Sequence, residues 1–310
     1  MRGKESVKKR KGGFNIQSII MSVLMASTLI TITIMGLLLY YRFKLAMDNT
    51  AVSNTEATVE SSVDRLNSDL LDIRQIFNAA NYNIIQEFDI SSQEFTRQFS
   101  MLYETNVDKI QSLALYGYDG MLIESEPVAT VKDNVKVAEQ KWYQDARSEI
   151  ENIHFSTPHV QNLFGDPSYR YYWVVSLSRA VELTSNGTST LGVLLVDMNY
   201  NSIEQILKKA NVGNSSEYVY LIDGKGEIIY HPRQKLIYTD LYQENNIEAA
   251  GYEDGSTEEI FQGEKRLVTV KTVSYTGWKI VSVVPMSSFD MGMTGTKYFV
   301  IMLVTVSMLA

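Results

Sequence analysis

The residues between positions 140 and 197 combine aromatic rings with a few polar groups, a composition that suits a binding pocket for a small molecule. Such pockets need flat apolar walls and polar groups that orient the ligand. The aromatic members could instead be ordinary core residues, and Asp197 could instead cap a helix that begins near Asn199. The candidate pocket residues are Gln140, Trp142, Tyr143, His159, Tyr171, Tyr172, Trp173, Ser176, Ser178, Arg179 and Asp197, joined by Tyr116 from an upstream strand.

Signatures of catalysis and metal binding are absent from the sequence. It contains no GxSxG, HExxH or GxxxxGK[ST] motif and no cysteine. Its histidines are His154, His159 and His231, and the first two are five residues apart, which does not place them on one face of a helix. The DGKG segment at Asp223 lacks the alternating acids of a calcium loop. We therefore predict no catalytic residue, no metal site and no cofactor.

Charge is distributed unevenly along the chain. The 310 residues carry a net charge of −8, although residues 1–13 contain six Lys or Arg and a single acid. The remainder is therefore strongly acidic, whereas a nucleic-acid phosphate backbone requires a basic surface. We expect no nucleic-acid partner. The 45% apolar and 21% charged residues are typical of a folded protein.

Residues 14–41 are uncharged and mostly apolar, and a bilayer core is crossed by about 20 such residues. The basic tail, residues 1–13, places the amino terminus in the cytoplasm by the positive-inside rule. A cleaved signal peptide would have a shorter apolar region. The sequence after Lys297 is again uncharged, so we expect residues 296–310 to begin a second transmembrane helix rather than a helix on the membrane surface. The predicted protein is multi-pass in the cell membrane, with residues 42–295 extracytoplasmic.

Apolar residues spaced three and four apart predict a long helix over residues 42–80. Their seam could pack on the helix's own domain or against a second copy of the chain. We expect both: a homodimer in which the part nearest the membrane pairs, through Val59 and Val63, and a part beyond Leu70 that packs on the domain. The seam comprises Val52, Val59, Val63, Leu66, Leu70, Ile73, Phe77, Ala80 and Ile84.

Two segments of the external region share one pattern of strands. The residues around Asp119 and around Asp223 each join two short β-rich runs, as a hairpin does. A second pair of runs follows in each segment and ends in a polar break. We therefore expect one duplicated unit, with modules over residues 81–212 and 213–292 and an insertion in the first. Antiparallel sheets with helices on one side, carried on a long helix, form an α+β fold.

The order of basic tail, membrane segment, long helix, two sheet modules and second membrane segment resembles the double Cache sensor region of bacterial transmembrane receptors. The run Trp142-Tyr143-Gln144-Asp145-Ala146 in the first insertion carries the same resemblance, which covers about residues 40–295. It implies a membrane-distal, PAS-like module that binds a small molecule. In the membrane-proximal module Pro285 stands where the first has Asp197, and we expect that module to transmit motion without binding a ligand.

The resemblance also implies roles for individual residues. Double Cache domains that bind amino acids are similar in an arginine two residues before the Trp-Tyr pair, a tyrosine after a downstream proline and an aspartate that closes the last strand. These positions hold Gln140, His159 and Asp197, and a further tyrosine position holds Val135. An amide does not provide the charged bidentate contact of a guanidinium to a carboxylate. We therefore expect a neutral or cationic ligand, such as an amine, a sugar-like molecule or a short peptide.

The sensor halves of histidine kinases from Gram-positive bacteria are the double Cache proteins that this sequence resembles most. We therefore expect a two-component sensor histidine kinase, whose partner is a cytoplasmic response regulator. The alternatives are the sensor region of a chemoreceptor or of a diguanylate cyclase. A membrane-anchored extracytoplasmic enzyme would need a catalytic constellation that the sequence does not contain.

Overall fold

The computed structural model describes residues 16–129, 131–132, 135–165, 172–211 and 217–288, together with the helical residues 295, 298–299, 301–302 and 305–306. The chain divides into two compact units. The first comprises Met1–Ser53 and Met286–Ala310, and the second comprises Asn54–Pro285. The predicted basic tail and most of the predicted second membrane segment, residues 296–310, lie outside the described residues.

Helix α1, Ile16–Asn78, contains the predicted membrane segment. Its apolar part has a mean hydropathy of 2.1 and is exposed throughout, and among the described residues it is the one helix long and apolar enough to cross a membrane. The hydroxyls of Thr31 and Thr33 donate to the carbonyls of Ser27 and Leu29, at 2.8 Å each. These bonds satisfy polar groups that hydrocarbon would leave without a partner.

The second unit is built on the continuation of α1 and a π-helical turn, Ala79–Ile85. Val59, Val63 and Leu70 are buried in its core, with exposures of 1%, 4% and 0%. The expectation that Val59 and Val63 face a second copy of the chain is therefore wrong. From Val59 onward, the apolar seam is already covered by the core of its own unit.

The first module contains a six-stranded antiparallel sheet with strand order β2-β1-β6-β5-β3, in which β4 also pairs with β5. The predicted hairpin at Asp119 is confirmed as β1–β2, and the predicted insertion follows β2. The elements are α2 Gln93–Glu104, β1 Ile110–Gly117, β2 Leu122–Glu126, a 3₁₀ turn Val137–Glu139, α3 Lys141–Ser148, β3 His154–Phe155, β4 His159–Val160, β5 Trp173–Ser185, β6 Thr188–Asn199 and α4 Tyr200–Ala210.

The second module repeats this topology with a five-stranded antiparallel sheet of order β8-β7-β11-β10-β9. Tyr116 lies opposite Val193 in the first sheet, and Tyr220 lies opposite Val281 in the second, so the registers correspond and the duplication is confirmed. The elements are β7 Tyr218–Ile222, β8 Ile228–Tyr230, α5 Gln234–Tyr238, α6 Asn246–Ala250, β9 Gly255–Phe261, β10 Glu264–Thr272 and β11 Lys279–Pro285.

Each sheet is covered on both faces, which differs from the expected arrangement with helices on one side. Helix α1 shares one continuous core with one face of each sheet, represented by Leu194 in the first and Ile280 in the second. The insertions cover the opposite faces, α3 through Trp142 in the first module and α6 through Ala249 in the second. The central strands β1, β5, β6, β7 and β11 are consequently buried on both sides, and polar residues within them require hydrogen-bond partners.

Adjacent leucines on α1 allow a matched test of this core. Leu70→Ala should lower the free energy of unfolding of the Asn54–Pro285 unit by about 3 kcal/mol, because the side chain is fully buried. Leu71→Ala makes the same change where the side chain is 36% exposed, and the loss should stay below about 1 kcal/mol. Urea unfolding followed by circular dichroism measures both, and equal losses would contradict the assignment of the buried face.

Candidate functional site

The candidate site lies on the face of the first sheet opposite α1. Helix α3 places Trp142 and Tyr143 on this face because its buried residues are one and four positions apart, which forms one apolar stripe. The Trp142 ring lies 5.4 Å from that of Tyr116 and 5.7 Å from that of Tyr143, measured between centroids. The Tyr143 hydroxyl donates to the Gly117 carbonyl at 2.8 Å, which ties α3 to the β1–β2 hairpin.

Asp197 is the buried charge on the same face, with 1% of its surface exposed. One of its carboxylate oxygens accepts a hydrogen bond from the Ser112 hydroxyl at 2.6 Å, and the other accepts one from the Ser176 hydroxyl. Both serines face Asp197 because the three residues are direct neighbours in the strand register. The Ser176 hydroxyl separates His159 from Asp197, because His159 Nε2 lies 3.3 Å from Ser176 Oγ.

Asp197 does not cap a helix. The cap of α4 is Asn199, whose side chain accepts a hydrogen bond from the Asn201 amide at 3.0 Å. The carboxylate of Asp197 therefore points into the sheet face, and the alternative role considered for it in the sequence is wrong. Its hydrogen bonds to two serines hold it in a fixed orientation.

Burial raises the pKa of Asp197, and the serine hydrogen bonds and the nearby His159 act in the opposite direction. No lysine or arginine contacts its carboxylate among the residues that the structure describes. The hydroxyl of Tyr116, on the same face, is buried without a hydrogen-bond partner in that part of the chain. Burial and the charge of Asp197 both raise the pKa of Tyr116. The face thus presents a buried acid with no lysine or arginine against it in the described part of the chain, and a cationic ligand would compensate that acid.

A cleft of about 660 Å³ opens beside this cluster. Neither Asp197 nor Trp142 lies on its wall, so the cleft and the buried carboxylate are adjacent but separate features. Because Asp197 is almost completely covered, a ligand reaches it only when the residues that cover it move. The cleft is lined by Asp119, Gly120, Met121, Leu122, Ala129, Val131, Val135, Lys136, Val137 and Ala138.

The Cache domain model matches residues 43–292, which is most of the chain and both sheets. The chain belongs to the Cache domain family. The resemblance to double Cache sensors and the α+β fold predicted from the sequence are thereby confirmed. The matched region contains the part of α1 that follows the predicted membrane segment and every later helix and strand up to β11.

Several solved structures share the fold. The ligand-binding domain of the Pseudomonas fluorescens chemoreceptor CtaA, in complex with L-isoleucine, is 17% identical, covers 80% of this chain and 98% of its own, and has a TM-score of 0.56. The ligand-binding domain of Pseudomonas aeruginosa PctB with L-Arg is 18% identical, covers 80% of this chain and 93% of its own, and has a TM-score of 0.58. The sensory domain of the Campylobacter jejuni chemoreceptor Tlp3 with isoleucine is 14% identical, covers 80% of this chain and 97% of its own, and has a TM-score of 0.58. At these identities the likeness concerns the fold.

A curated relative is a probable methyl-accepting chemotaxis protein of Bacillus thuringiensis. It is 22% identical over 247 residues, which are 77% of this chain and 33% of the relative. The chain therefore spans about a third of the length of the curated relative it matches. Together with the family match, this relative identifies the Cache region as the sensor domain of a membrane receptor.

The structure brings together seven of the residues proposed from the sequence. One of the others, Gln140, precedes α3, is half-buried and makes no side-chain hydrogen bond among the described residues. Tyr172, also half-buried, precedes β5 and accepts a backbone hydrogen bond from Gln161 at 2.8 Å. Tyr171 lies outside the described residues. The assembled residues are Tyr116, Trp142, Tyr143, His159, Ser176 and Asp197, and Ser178 joins them by donating to the Trp142 carbonyl at 2.8 Å.

Trp173 and Arg179 lie on the other face of the sheet, and their inclusion in the pocket was wrong. They alternate along β5 with Ser176 and Ser178 and share the α1 face with Leu177. Trp173 is 46% exposed and packs its ring 6.2 Å from that of Tyr200. Side chains of one strand point alternately to opposite faces, so these residues cannot contact Asp197.

Sequence reasoning missed Ser112, which is 3% exposed and donates directly to Asp197. Nothing in its local sequence distinguishes it from other strand serines. Its proximity to Asp197 comes from the pairing of β1 with β6, two strands that are far apart in the chain. The signal is therefore the strand register.

The raised pKa of Asp197 leads to a testable dependence of stability on pH. The folded unit holds the Asp197 proton more tightly than the unfolded chain, where the ordinary value is 3.8. The free energy of unfolding should therefore fall as the pH rises from about 4 through the raised folded pKa. Asp197→Asn should remove this fall, so that the variant gains stability relative to the wild type at about pH 8.

Urea unfolding of the Asn54–Pro285 unit across this pH range measures the effect. Asp108→Asn changes an exposed aspartate and should keep the pH profile of the wild type. A profile for Asp197→Asn that is parallel to the wild type would show that the buried carboxylate carries no ionisation cost.

Proposed function

We propose that the Cache region senses a small molecule that carries an amine, and that the first module binds it through Asp197. The observation that supports this proposal is a buried carboxylate with no cation in contact within the described part of the chain. A protonated amine would donate hydrogen bonds to Asp197 and offset the cost of burying its charge. The rings of Tyr116 and Trp142 would then form the apolar and cation-binding walls.

Gln140 restricts the ligand class. The similar sensor domains were solved with amino acids, including L-isoleucine and L-Arg, and one with GABA. All these ligands have an amine, whereas the arginine that binds a carboxylate in amino-acid-binding relatives is replaced here by an amide. We therefore propose that this chain recognises the amine and lacks the strong carboxylate contact. An amine, an amino sugar or a short peptide fits this requirement.

The connection from Asp197 to the second module suggests how binding is transmitted. Asp197 lies three residues before α4, and Ile203 of α4 is buried in the core that contains α1. The Tyr200 hydroxyl donates to the Ile229 carbonyl of β8 at 2.9 Å. A ligand that displaces Asp197 would also move α4, because the two are close in the chain. Helix α4 shares one core with the long helix and is hydrogen-bonded to the second sheet through Tyr200. Such a ligand changes the signal because it binds one conformation of the sensor better than the other. The coupling free energy between a binding site and a distant element is typically about 1–3 kcal/mol.

The proposed topology has the amino terminus in the cytoplasm and residues 42–295 outside the cell membrane. The basic tail and the exposed apolar part of α1 support this arrangement. A homodimer stays part of the proposal, but the exposed face of α1 would form it. That face presents Ala57, Ser61 and Ser68 instead of the buried seam.

Two outputs are consistent with this sensor. The order of elements in the sequence favours a histidine kinase that phosphorylates a response regulator. The curated relative, a probable methyl-accepting chemotaxis protein, favours a chemoreceptor. Autophosphorylation on histidine in the full receptor would establish the first output, and methylation of glutamates in a cytoplasmic coiled coil would establish the second.

Calorimetry with a panel of amines and α-amino acids tests the ligand class. The wild type should bind an amine, and Asp197→Asn should weaken that binding at least about tenfold, because the charge-assisted hydrogen bond is lost. Gln140→Arg should raise the affinity for α-amino acids about tenfold by adding a bidentate carboxylate contact. Glu149→Gln, a surface change beyond the end of α3, is the control that should leave all affinities unchanged. Binding of amines that is insensitive to Asp197→Asn would refute the proposal.

The absence of cysteine makes topology measurable with single-cysteine variants. Ser189→Cys, at an exposed position of β6, should react with a membrane-impermeant maleimide on intact cells. Ser6→Cys, in the basic tail, should react only after the cells are permeabilised. Labelling of Ser6→Cys from outside would reverse the proposed orientation.

A further inference from the structure

The second module contains a charged cluster at the place where the first module has its candidate site. Arg266 lies directly opposite Pro285, just as Ser176 lies opposite Asp197 in the first sheet. Arg266 and Tyr218 belong to the face that the α5–α6 insertion covers. The two modules therefore present corresponding surfaces, although the sequence predicted no ligand for the second.

Two carboxylates, Glu244 and Glu259, share one buried guanidinium in this cluster, that of Arg266. Arg266 donates through Nε to Glu259 at 2.9 Å and through Nη1 to Glu244 at 3.0 Å. The side chains of Glu244 and Glu259 are 0% and 7% exposed, against 5% for Arg266. Glu244 also accepts from the Tyr218 hydroxyl at 2.6 Å. Burial alone would raise the pKa of Glu244, but hydrogen bonds from His231 and Tyr218 lower it to about 2, so it is ionised.

Aromatic rings line the outer side of the cluster and hold a cation from the chain itself. The guanidinium carbon of Arg233 lies 5.0 Å from the ring centroid of Tyr218 and 5.0 Å from that of Tyr242. His231 packs against both rings, at 5.4 Å from Tyr218 and 5.6 Å from Tyr242. Arg233 thus occupies the position that a ligand cation takes between two aromatic faces.

A cavity of about 270 Å³ adjoins this position. Its volume is just below the usual range of ligand pockets, about 300–1,000 Å³, which suits a short alkyl chain with a cationic head group in the cavity. Its rim contains the amides of Gln243 and Gln262, whose side chains are hydrogen-bonded at 3.4 Å. Tyr218, Arg233, Tyr242, Glu264 and Arg266 complete most of the wall.

We propose that this second-module cavity binds a small organic cation, with a guanidinium or ammonium head, which displaces Arg233 from the rings of Tyr218 and Tyr242. The buried acids would compensate the incoming charge, and the rings would stack on it. Arg233 immediately precedes α5, so its displacement would release the start of that helix. The second module would then respond to a cation independently of Asp197. This site goes beyond the function proposed for the first module.

An anion fits the cavity less well. Arg266 already has two carboxylate partners, Glu244 and Glu259, and a bound carboxylate would lie beside Glu264 on the cavity wall. Like charges repel, and the repulsion is larger where water is excluded. Once Arg233 is displaced, the guanidinium of Arg266 faces three carboxylates, and this balance favours a cation.

Calorimetry on the full 310-residue chain in lipid nanodiscs tests the proposal, with agmatine as the cationic probe and acetate as the anionic probe. All measurements use the Asp197→Asn background, which silences the first-module site, so the two proposals fail independently. Agmatine should bind in this background. Tyr242→Leu should weaken binding about tenfold because a stacking ring is lost, whereas Tyr242→Phe keeps the ring and should stay within about threefold.

Two further variants complete the test. Arg233→Gln should strengthen agmatine binding about tenfold, because it removes the competing cation. Tyr238→Leu makes a matched change at a tyrosine of α5 that is 68% exposed, and it should leave binding unchanged. If Tyr242→Leu fails to fold, Arg233→Gln decides, since Arg233 is only half-buried. Absence of agmatine binding, weaker binding in Arg233→Gln, or acetate binding that Arg233→Gln abolishes would each overturn the proposal.

Discussion

The apolar seam of α1 is the contact on which both modules depend. One continuous core runs from Val59 through Phe77 and includes Leu194 of the first sheet and Ile280 of the second. Neither sheet could bury that face without the helix, because each insertion covers only the opposite side. A close-packed core has low compressibility, so a shift of one sheet along α1 would strain the packing of the other.

The sheet faces opposite α1 differ in the partners of their buried carboxylates. In the first module Asp197 is held by serine hydroxyls, with no cation against it among the described residues. In the second module Glu244 is opposed by Arg266. An unpaired buried carboxylate is costly and gains stability from a ligand that supplies the missing charge, whereas a paired one is already compensated. The described part of the first module therefore has no lysine or arginine against its buried acid, whereas the second module has Arg266 against Glu244.

Corresponding strand positions show how the modules diverged on a common scaffold. Tyr116 and Tyr220 occupy equivalent register positions and are both fully buried. Four residues along the neighbouring strands, Asp197 and Pro285 differ completely in chemistry. The acids of the second module come from the insertion and from β9, not from the strand that carries Asp197. Similar architecture thus carries different sites, because the insertions supply the functional groups.

The sequence by itself determined the long apolar helix, the two hairpins and the duplication, and it singled out Asp197 as a candidate. Local patterns were sufficient for these because helical spacing, turn residues and repeats are properties of neighbouring residues. Only the tertiary structure decided that Val59 faces its own core, that Arg179 lies on the α1 face and that Ser112 contacts Asp197. Residues 174–178 of β5 are all buried, so burial on both faces removes the alternation that would distinguish them, and strand pairing joins residues that are distant in the chain.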